Sequence, residues 1–265
     1  MDLKLNGKRA VVTGGGRGIG KAVARCLVSE GVAVVIGSRK EGPLKATAAE
    51  LSAGGARVIP ITVDTGDDAS VEAFVAKAVR ALGSIDILVN GAARPSGHAK
   101  APSVLEVTGA EFFDDMNTKV LGYLRMIRGV APVMKIRGWG RIVNIDGLGS
   151  RMTGSVLTSM RNAAVVALTK NAADELGRYG INVSGVSPGP VRTEATRRAL
   201  SEQAGRESMS VTELEAKIAE VHSIGRIVTA DEVASLVTWL ASPLSIAVAG
   251  DVIACGGGVK GAIYY

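Results

Sequence analysis

Residues 13–20 of the sequence read Thr13-Gly14-Gly15-Gly16-Arg17-Gly18-Ile19-Gly20. They follow the apolar run Ala10-Val11-Val12 and precede apolar residues at helical spacing, which predicts a strand, a glycine turn and a helix. Glycines let a backbone turn tightly and approach a pyrophosphate. The phosphate charge then lies against free N–H groups at the helix N-terminus. The stretch therefore predicts a dinucleotide-binding site.

The composition narrows the class of protein. The chain has 265 residues, 47% of them hydrophobic and 3% aromatic, with a formal net charge of +6. This length suits one large α/β domain. Because long basic runs are missing and few aromatic side chains could stack on bases, we expect no nucleic-acid partner.

The cysteines bear on metal binding and on the redox compartment, and the apolar runs bear on membrane association. Cys26 and Cys255, the two cysteines, lie too far apart in sequence for a metal-ligand spacing, so we expect no metal site. Unpaired thiols fit a reducing compartment. The polar N-terminus does not resemble a signal peptide, and no apolar run is long enough to span a bilayer. We therefore predict a cytoplasmic protein without a membrane partner.

Strand and helix patterns alternate along the chain, which favours βαβ units. We predict one Rossmann domain over residues 1–265, with a doubly wound, mostly parallel seven-stranded sheet covered by helices on both faces. The predicted strands are 10–12, 32–36, 58–63, 85–89, 141–145, 181–186 and 251–254, and the later helices are 70–82, 109–135, 158–177 and 231–240. Pro60 indicates that the third strand lies at a sheet edge. The polar segment 193–223 is predicted to cover the substrate.

The end of the second strand bears on the choice of dinucleotide. A site for NAD usually has an acidic residue there, which binds the ribose hydroxyls. This sequence has Ser38 and then Arg39 and Lys40, with Arg17 in the glycine turn. A hydroxyl and a guanidinium would bind a 2′-phosphate that a carboxylate would repel. We therefore expect NADP(H), with NAD(H) as the alternative; the competing interpretation is a merely solvated strand end.

Taken together, six segments resemble the short-chain dehydrogenase/reductase family, over essentially the whole chain. They are residues 13–20, Asp64, Val89-Asn90-Gly91-Ala92-Ala93, Arg141-Ile142-Val143-Asn144-Ile145, Ser187-Pro188-Gly189-Pro190-Val191-Arg192-Thr193 and Gly256-Gly257. The resemblance implies the Rossmann fold, an oxidoreductase activity on a carbonyl, an alcohol or an activated double bond, and a small-molecule substrate. It also implies a homo-oligomer, a dimer or a tetramer. The apolar close of the chain, Ala262-Ile263-Tyr264-Tyr265, would suit burial against a neighbour.

The same resemblance implies which residues hold the cofactor. The pyrophosphate would contact Gly14, Arg17, Gly18, Ile19 and Gly20, and the adenosine ribose phosphate would contact Ser38 and Arg39. The adenine would be bordered by Asp64 and Thr65, and the adjoining ribose by Asn90 and Ala92. The nicotinamide amide would be held by Pro188, Gly189, Val191 and Thr193.

The catalytic positions depart from the family pattern. Family members act through a serine, a tyrosine and a lysine, the last two four residues apart on one helix, with an asparagine on the preceding helix. Aligned on the residues after it, Asn162 takes the lysine position and Thr158 the tyrosine position. Gly147 takes the serine position, while Asn117 stands where the asparagine belongs.

These departures change the expected chemistry. Thr158 has no phenolic acidity near neutral pH, and Asn162 brings no positive charge. The cofactor itself supplies hydride transfer, so a reductase would need another proton donor. The nearby candidates are Asp146, Ser150, Ser155, Ser159, Arg161 and, in the loop after the fourth strand, His98. His222 is assigned to the covering segment.

Two functions from different classes remain open. The first is an NADP-dependent oxidoreductase with an atypical catalytic site. The second is a catalytically inactive dinucleotide-binding protein, such as a sensor or the partner subunit of an active relative. Turnover of a carbonyl or enone substrate would distinguish the two.

Overall fold

The fold is built around a single large sheet. The computed structural model describes residues 1–93, 102–261 and 263. In the described part the sheet has seven strands in the order β3-β2-β1-β4-β5-β6-β9, and every neighbouring pair is parallel. These strands are β1 (Arg9–Thr13), β2 (Ala33–Ser38), β3 (Val58–Thr62), β4 (Ile87–Asn90), β5 (Gly140–Ile145), β6 (Ile181–Pro188) and β9 (Val252–Cys255). The order reverses between β1 and β4, which is where such sheets bind ligands.

Helices cover both faces of this sheet. They are α1 (Gly18–Ser29), α2 (Glu41–Ser52), α3 (Asp68–Leu82), α4 (Gly109–Met116), α5 (Gly122–Arg137), α6 (Val156–Leu176), α7 (Glu194–Arg206), α8 (Val211–Ala219) and α9 (Ala230–Leu240). None of the described helices is long and apolar enough to span a bilayer.

The apolar strands explain why both faces are covered. Neighbouring residues of a strand point to opposite faces, and in β1 Val12 belongs to one apolar cluster while Val11 belongs to the other. The first cluster packs α1 and α9 against the sheet, and the second packs α3, α5 and α6. A sheet that is apolar on both sides needs both layers of helices.

The predicted fold class is confirmed, including the seven strands and the edge position of the strand that contains Pro60. The prediction of one uninterrupted helix over 109–135 was wrong in detail. Residues Asn117–Leu121 form a π-helical turn between α4 and α5. A π turn holds one more residue than an α turn, and periodicity alone does not show it.

The predicted covering segment contains α7 and α8. These helices share a small apolar cluster made by Leu200, Ala204 and Leu214, to which Ile227, from the chain after α8, is added. Two short strands, β7 (Val191–Arg192) and β8 (Val228–Thr229), pair with each other at the base of the segment. The segment is thus a compact unit at the carboxyl end of β6.

Candidate functional site

The glycine turn is held where side chains would not fit. A Cβ on Gly14 would lie 2.6 Å from the carbonyl oxygen of Gly91, and the φ of Gly14 is +72°. A Cβ on Gly20 would collide with the carbonyl oxygen of Gly14. The turn is fixed to β2 because the N–H of Gly14 donates to the carbonyl of Gly37 at 2.8 Å. These contacts bring backbone close to backbone at the start of α1, leaving the geometry that a pyrophosphate requires.

The N-terminus of α1 already contacts an anionic group. The N–H of Gly18 donates to Oε2 of Glu194, the first residue of α7, at 3.2 Å. Arg17 is the N-cap residue and its side chain is exposed, while Ile19 packs against the apolar core. The free N–H groups of this turn therefore attract a carboxylate of the covering segment in the same way as they would attract a phosphate.

Ser38 and Arg39 lie where the turn meets the end of β2. A Cβ on Gly16 would lie 3.3 Å from Oγ of Ser38, so this hydroxyl faces the glycine turn. Arg39 is exposed. The Ser38 hydroxyl is thus beside the predicted pyrophosphate site, and Arg39 follows it in the chain with an exposed side chain.

Asp64 and Thr65, which are predicted to border the adenine, follow β3. Their side chains also make hydrogen bonds within the chain. Oδ1 of Asp64 accepts from the N–H of Gly66 at 2.9 Å, which stabilises the loop. Thr65 is buried, and its Oγ1 donates to the carbonyl of Thr118 at 2.9 Å. The Thr65 side chain therefore holds the π turn.

A buried polar network lies below the ends of β4 and β5. Nδ2 of Asn90 donates to Oδ1 of Asn144 at 2.9 Å, and Nδ2 of Asn144 donates to Oγ1 of Thr169 at 3.0 Å. Oδ1 of Asn90 is buried and has no hydrogen-bond partner within the described residues. An orphaned buried acceptor beside a predicted ribose site fits a ligand hydroxyl. Ala92 is held nearby because its N–H donates to Oγ1 of Thr13 at 3.3 Å.

The predicted nicotinamide loop connects β6 to the covering segment. Pro188 ends β6, Val191 is buried in β7, and Thr193 caps α7 by accepting from the N–H of Thr196. A Cβ on Gly189 would lie 3.2 Å from Cα of Gly256. These four predicted residues therefore lie on one short stretch of chain between β6 and α7, and Gly189 lies next to the end of β9.

The structure brings three of the four predicted catalytic positions together. Gly147 follows β5, and a Cβ there would lie 3.1 Å from Nδ2 of Asn162. Thr158 lies one helical turn before Asn162 on α6, and the hydroxyl of Ser155 donates to its Oγ1 at 3.1 Å. Asn162 is buried.

Asn117 is not brought into this group. Its Nδ2 donates to the carbonyl of Gly66 at 3.0 Å, and its Oδ1 accepts from Arg125 at 2.8 Å. The side chain thus ties the π turn to the loop after β3. Lys119, two residues later, is the side chain of that turn that reaches Asn162.

Sequence reasoning missed Lys119. Its side chain is 3% exposed, and Nζ donates to Oδ1 of Asn162 at 2.8 Å and to the carbonyl of Asp146 at 2.7 Å. Burial lowers the pKa of Lys119 to about 7, and the charge of Arg161 acts in the same direction. The signal in the sequence was a lysine within a predicted helix, and the π turn accounts for its inward direction.

Acidic groups balance this buried charge. Burial raises the pKa of Asp146, whose Oδ1 accepts from Oγ of Ser187 at 2.6 Å. Oδ2 of Asp146 is buried and has no hydrogen-bond partner in the described part of the chain. Arg161 is paired with Asp115 at 2.6 Å, so this proton-donor candidate is held in an ion pair.

The remaining proton-donor candidates make local hydrogen bonds. Ser150 Oγ donates to the carbonyl of Gly147 at 3.1 Å, and Ser159 Oγ donates to that of Met152 at 2.8 Å. Ser155 caps α6. His98 lies outside the described residues. Of the four tyrosines in the sequence, the structure describes Tyr123, which donates to the carbonyl of Ile145 at 2.9 Å, and Tyr179, at the end of α6.

A cavity of about 320 Å³ lies between the site and the covering segment. Its lining comes from the loop after β5, the loop after β6, the covering segment and the chain that follows β9. The lining residues are Leu148, Met152, Pro190, Gln203, Glu207, Leu214, Lys217, Ile218, Val221, His222 and Val259. His222, a predicted member of the covering segment, is part of this cavity wall. It is buried, and its Nδ1 lies 2.9 Å from the carbonyl oxygen of Ile218.

With this geometry in place, comparisons with known proteins agree on the class. The model of a family described as Enoyl-(Acyl carrier protein) reductase matches residues 14–260. The putative ketoacyl reductase of the monensin polyketide synthase from Streptomyces virginiae is 35% identical over 258 residues, which cover 94% of this chain and 95% of that protein. The chain belongs to the short-chain dehydrogenase/reductase family of NAD(P)-dependent oxidoreductases.

Two solved structures show how far the fold likeness extends. L-sorbose reductase from Gluconobacter frateurii, crystallised with NADPH and L-sorbose, is 26% identical with a TM-score of 0.93, covering 99% of this chain and 100% of that one. A variant of actinorhodin polyketide ketoreductase, crystallised with NADPH, is 33% identical with a TM-score of 0.88, covering 96% and 98%.

Proposed function

We propose that this protein is an NADP(H)-dependent reductase of a small carbonyl compound that works with an atypical catalytic site. The observation that carries the proposal is the cavity of about 320 Å³, which is walled mainly by apolar side chains and borders the loops after β5 and β6. A dinucleotide bound across the switch point would present its nicotinamide at those two loops. The relatives crystallised with NADPH support the choice of cofactor.

The residues of the chain fit this cofactor. Gly14 and Gly20 leave space where a Cβ would collide, and Ser38 and Arg39 supply a hydroxyl and a charge for the 2′-phosphate. Asn90 offers a buried acceptor that has no hydrogen-bond partner among the described residues and could accept from a ribose hydroxyl. When bound, the cofactor supplies the hydride, and the chain orients the carbonyl and excludes water.

The substrate class follows from the cavity wall. Leu148, Met152, Leu214 and Ile218 would contact an apolar body, whereas Lys217 lies among the few charged residues of the lining. We therefore propose a ketone with an extended apolar part, in keeping with the ketoacyl reductase relatives. The proposed site lacks the tyrosine–lysine pair on α6, where Thr158 and Asn162 take the corresponding positions.

NADPH oxidation, followed by absorbance with a panel of ketones and enones, tests this proposal. We expect turnover with apolar ketones. A protein that binds NADPH but oxidises it with no member of the panel would contradict the proposed reductase.

The second candidate function is a catalytically inactive dinucleotide-binding protein. It is favoured by the Thr158 hydroxyl, which is engaged by Ser155 and has no phenolic acidity. Under this alternative the double variant T158Y/N162K gains an activity that the wild type lacks, whereas measurable wild-type turnover eliminates it. The single variant T158Y is the matched control for the lysine.

We also propose a homo-oligomer, either a dimer or a tetramer. Phe113, Leu121 and Leu124 are large apolar side chains exposed along α4, the π turn and α5. Light scattering coupled to gel filtration measures the mass, and a monomer at micromolar concentration would contradict this assignment.

A further inference from the structure

Lys119 holds a charge where burial is costly. A buried ammonium ion is retained only when its hydrogen bonds and charge are compensated. Nζ has two acceptors, Oδ1 of Asn162 at 2.8 Å and the carbonyl of Asp146 at 2.7 Å. Neither acceptor carries a formal charge, so the lysine is only partly compensated by its direct partners. Such an arrangement is typical of functional sites, where a perturbed group serves a ligand.

The contact with Lys119 fixes the orientation of the Asn162 amide. An ammonium group can only donate, so the atom of Asn162 at 2.8 Å must be the oxygen. Nδ2 then faces away from Lys119, toward Gly147 and Gly149, where added Cβ atoms would each lie 3.1 Å from it. Within the described residues no hydrogen bond joins Nδ2 to an acceptor. The Nδ2 group of Asn162 thus presents its donors at the carboxyl end of β5.

The position of Asn162 in the fold determines which part of a bound dinucleotide its Nδ2 donors would contact. In this fold a dinucleotide lies across the switch point between β1 and β4, with one nucleotide on each side. The glycine turn and Ser38 are on the side of β1 and β2, and Asn162 is on the side of β5. The Nδ2 donors therefore lie on the nicotinamide side.

We propose that Lys119 is a positioning residue that acts through Asn162: it orients and polarises the amide so that Nδ2 donates to the nicotinamide–ribose half of NADP(H). The inference rests on the proposed function only in assuming that this dinucleotide is bound. The positive charge that α6 lacks at position 162 is then supplied from the π turn.

The proposal requires Lys119 to be protonated, which makes it dependent on pH. The groups facing Nζ are Asp146 at the end of β5, Asp115 on α4, Arg161 on α6 and the ring of Tyr123 on α5, whose centroid lies 6.0 Å away. Burial and Arg161 lower the pKa of Lys119 to about 7, against the two carboxylates. The ammonium form is therefore lost as pH rises through about 7.

A pair of ligands separates this role from a structural one. NADPH has both nucleotides, whereas adenosine 2′,5′-bisphosphate has the 2′-phosphate but lacks the nicotinamide and its ribose. We expect Lys119→Met to weaken NADPH binding by about tenfold, the difference between a charge-assisted and an ordinary hydrogen bond, and to leave the bisphosphate unchanged. Lys170→Met, an exposed lysine on the same helix as Asn162, should change neither dissociation constant.

Two further measurements strengthen the test. The double variant K119M/N162K returns a cation from α6 and should recover most of the NADPH affinity. In the wild type, the ratio of the bisphosphate to the NADPH dissociation constant should fall as pH rises above about 7. Titration of the 2′-phosphate is common to both ligands and cancels in this ratio, and the 5′-phosphate monoester of the bisphosphate, with a second pKa of about 6, is almost fully ionised over the range above pH 7. This measurement needs no variant, so it remains decisive if Lys119→Met does not fold.

Each outcome is informative. Equal weakening of both ligands in Lys119→Met, no weakening of either, a wild-type ratio that does not change with pH, or no recovery in K119M/N162K would overturn the role of Lys119 while leaving the proposed function intact. A wild type that binds neither ligand would overturn the proposed function itself, and the present inference with it.

Discussion

At the carboxyl ends of β1, β2 and β3, the groups available to a ligand are mainly backbone N–H groups and exposed side chains, such as Arg39. At the ends of β4, β5 and β6 they are buried side chains joined in networks, including Asn90–Asn144–Thr169 and Lys119–Asn162. At the ends of β1 to β3, backbone groups are accessible because glycines lack side chains. At the ends of β4 to β6, side chains are fixed by hydrogen bonds to one another. We therefore expect the two halves to respond differently to substitution.

The largest effect is expected where the backbone approaches itself. Gly20→Ala adds a Cβ that collides with the carbonyl of Gly14, so we expect stability to fall by about 1–3 kcal/mol and NADPH binding to be lost. Urea unfolding and a fluorescence titration measure the two effects. Gly42→Ala, in α2, is the matched control because a Cβ there meets no atom of the described residues within 4 Å. Normal NADPH binding by Gly20→Ala would show that the turn does not hold the pyrophosphate.

The next effect concerns cofactor choice on the same side. Ser38→Asp places a carboxylate beside the proposed 2′-phosphate, so the affinity for NADPH should fall by about 10- to 100-fold, while that for NADH is retained or rises. Calorimetric titration with both cofactors provides the measurement. Lys45→Ala, at an exposed i,i+4 pair with Glu41, is a control for charge alone. Parallel losses of NADPH and NADH affinity would contradict the 2′-phosphate assignment.

A matched pair of threonines compares the two halves directly. Thr169→Val leaves the buried amide of Asn144 without its acceptor, so we expect a loss of stability of about 1–3 kcal/mol. Thr47→Val removes one hydrogen bond to the carbonyl of Gly16 at the turn and should cost about 0.5–1.5 kcal/mol. Chemical denaturation of both variants gives the difference. Equal or reversed losses would mean that the buried network is not the more demanding half.

The smallest effect is expected at the contact between the covering segment and the turn. Glu194→Gln removes the carboxylate charge next to the N–H of Gly18, where the pyrophosphate would lie, so NADPH affinity should rise by about two- to tenfold. Glu202→Gln, exposed on the same helix, should leave the affinity unchanged. A fall in affinity in Glu194→Gln would show that Glu194 supports the cofactor rather than competing with it.

The contrast between the halves also explains what the sequence could predict. The glycine turn and the apolar strands are local patterns, so residues 13–20 predict a phosphate cradle and the alternation predicts the sheet. The partners of Asn162 come from a different helix, and their meeting depends on tertiary packing. No spacing in the sequence shows that Lys119, rather than Asn117, points toward α6.

There is a geometric reason why the sequence pattern did not predict the position of Lys119. Periodicity over 109–135 predicts a continuous helix, and in such a helix each residue advances the side-chain direction by about 100°. The π turn at Asn117–Leu121 interrupts this advance, which is why Lys119 contacts Asn162 while Asn117 contacts the loop after β3. Thr158 and Asn162 lie one turn apart, as their spacing predicts, because α6 is regular over Val156–Leu176.

The π turn also sets the rotation of α5 relative to α4, two helices that pack on different partners. It absorbs one surplus residue, so α4 can place Asp115 against Arg161 while α5 keeps Tyr123 and Met126 in the core. Deleting one residue from 117–121 would convert the turn into regular α-helix and keep both flanks in phase, while changing which side chain of the segment points toward Asn162. A one-residue deletion at this point would therefore alter the polar contacts of Asn162 while the two flanking helices keep their own packing.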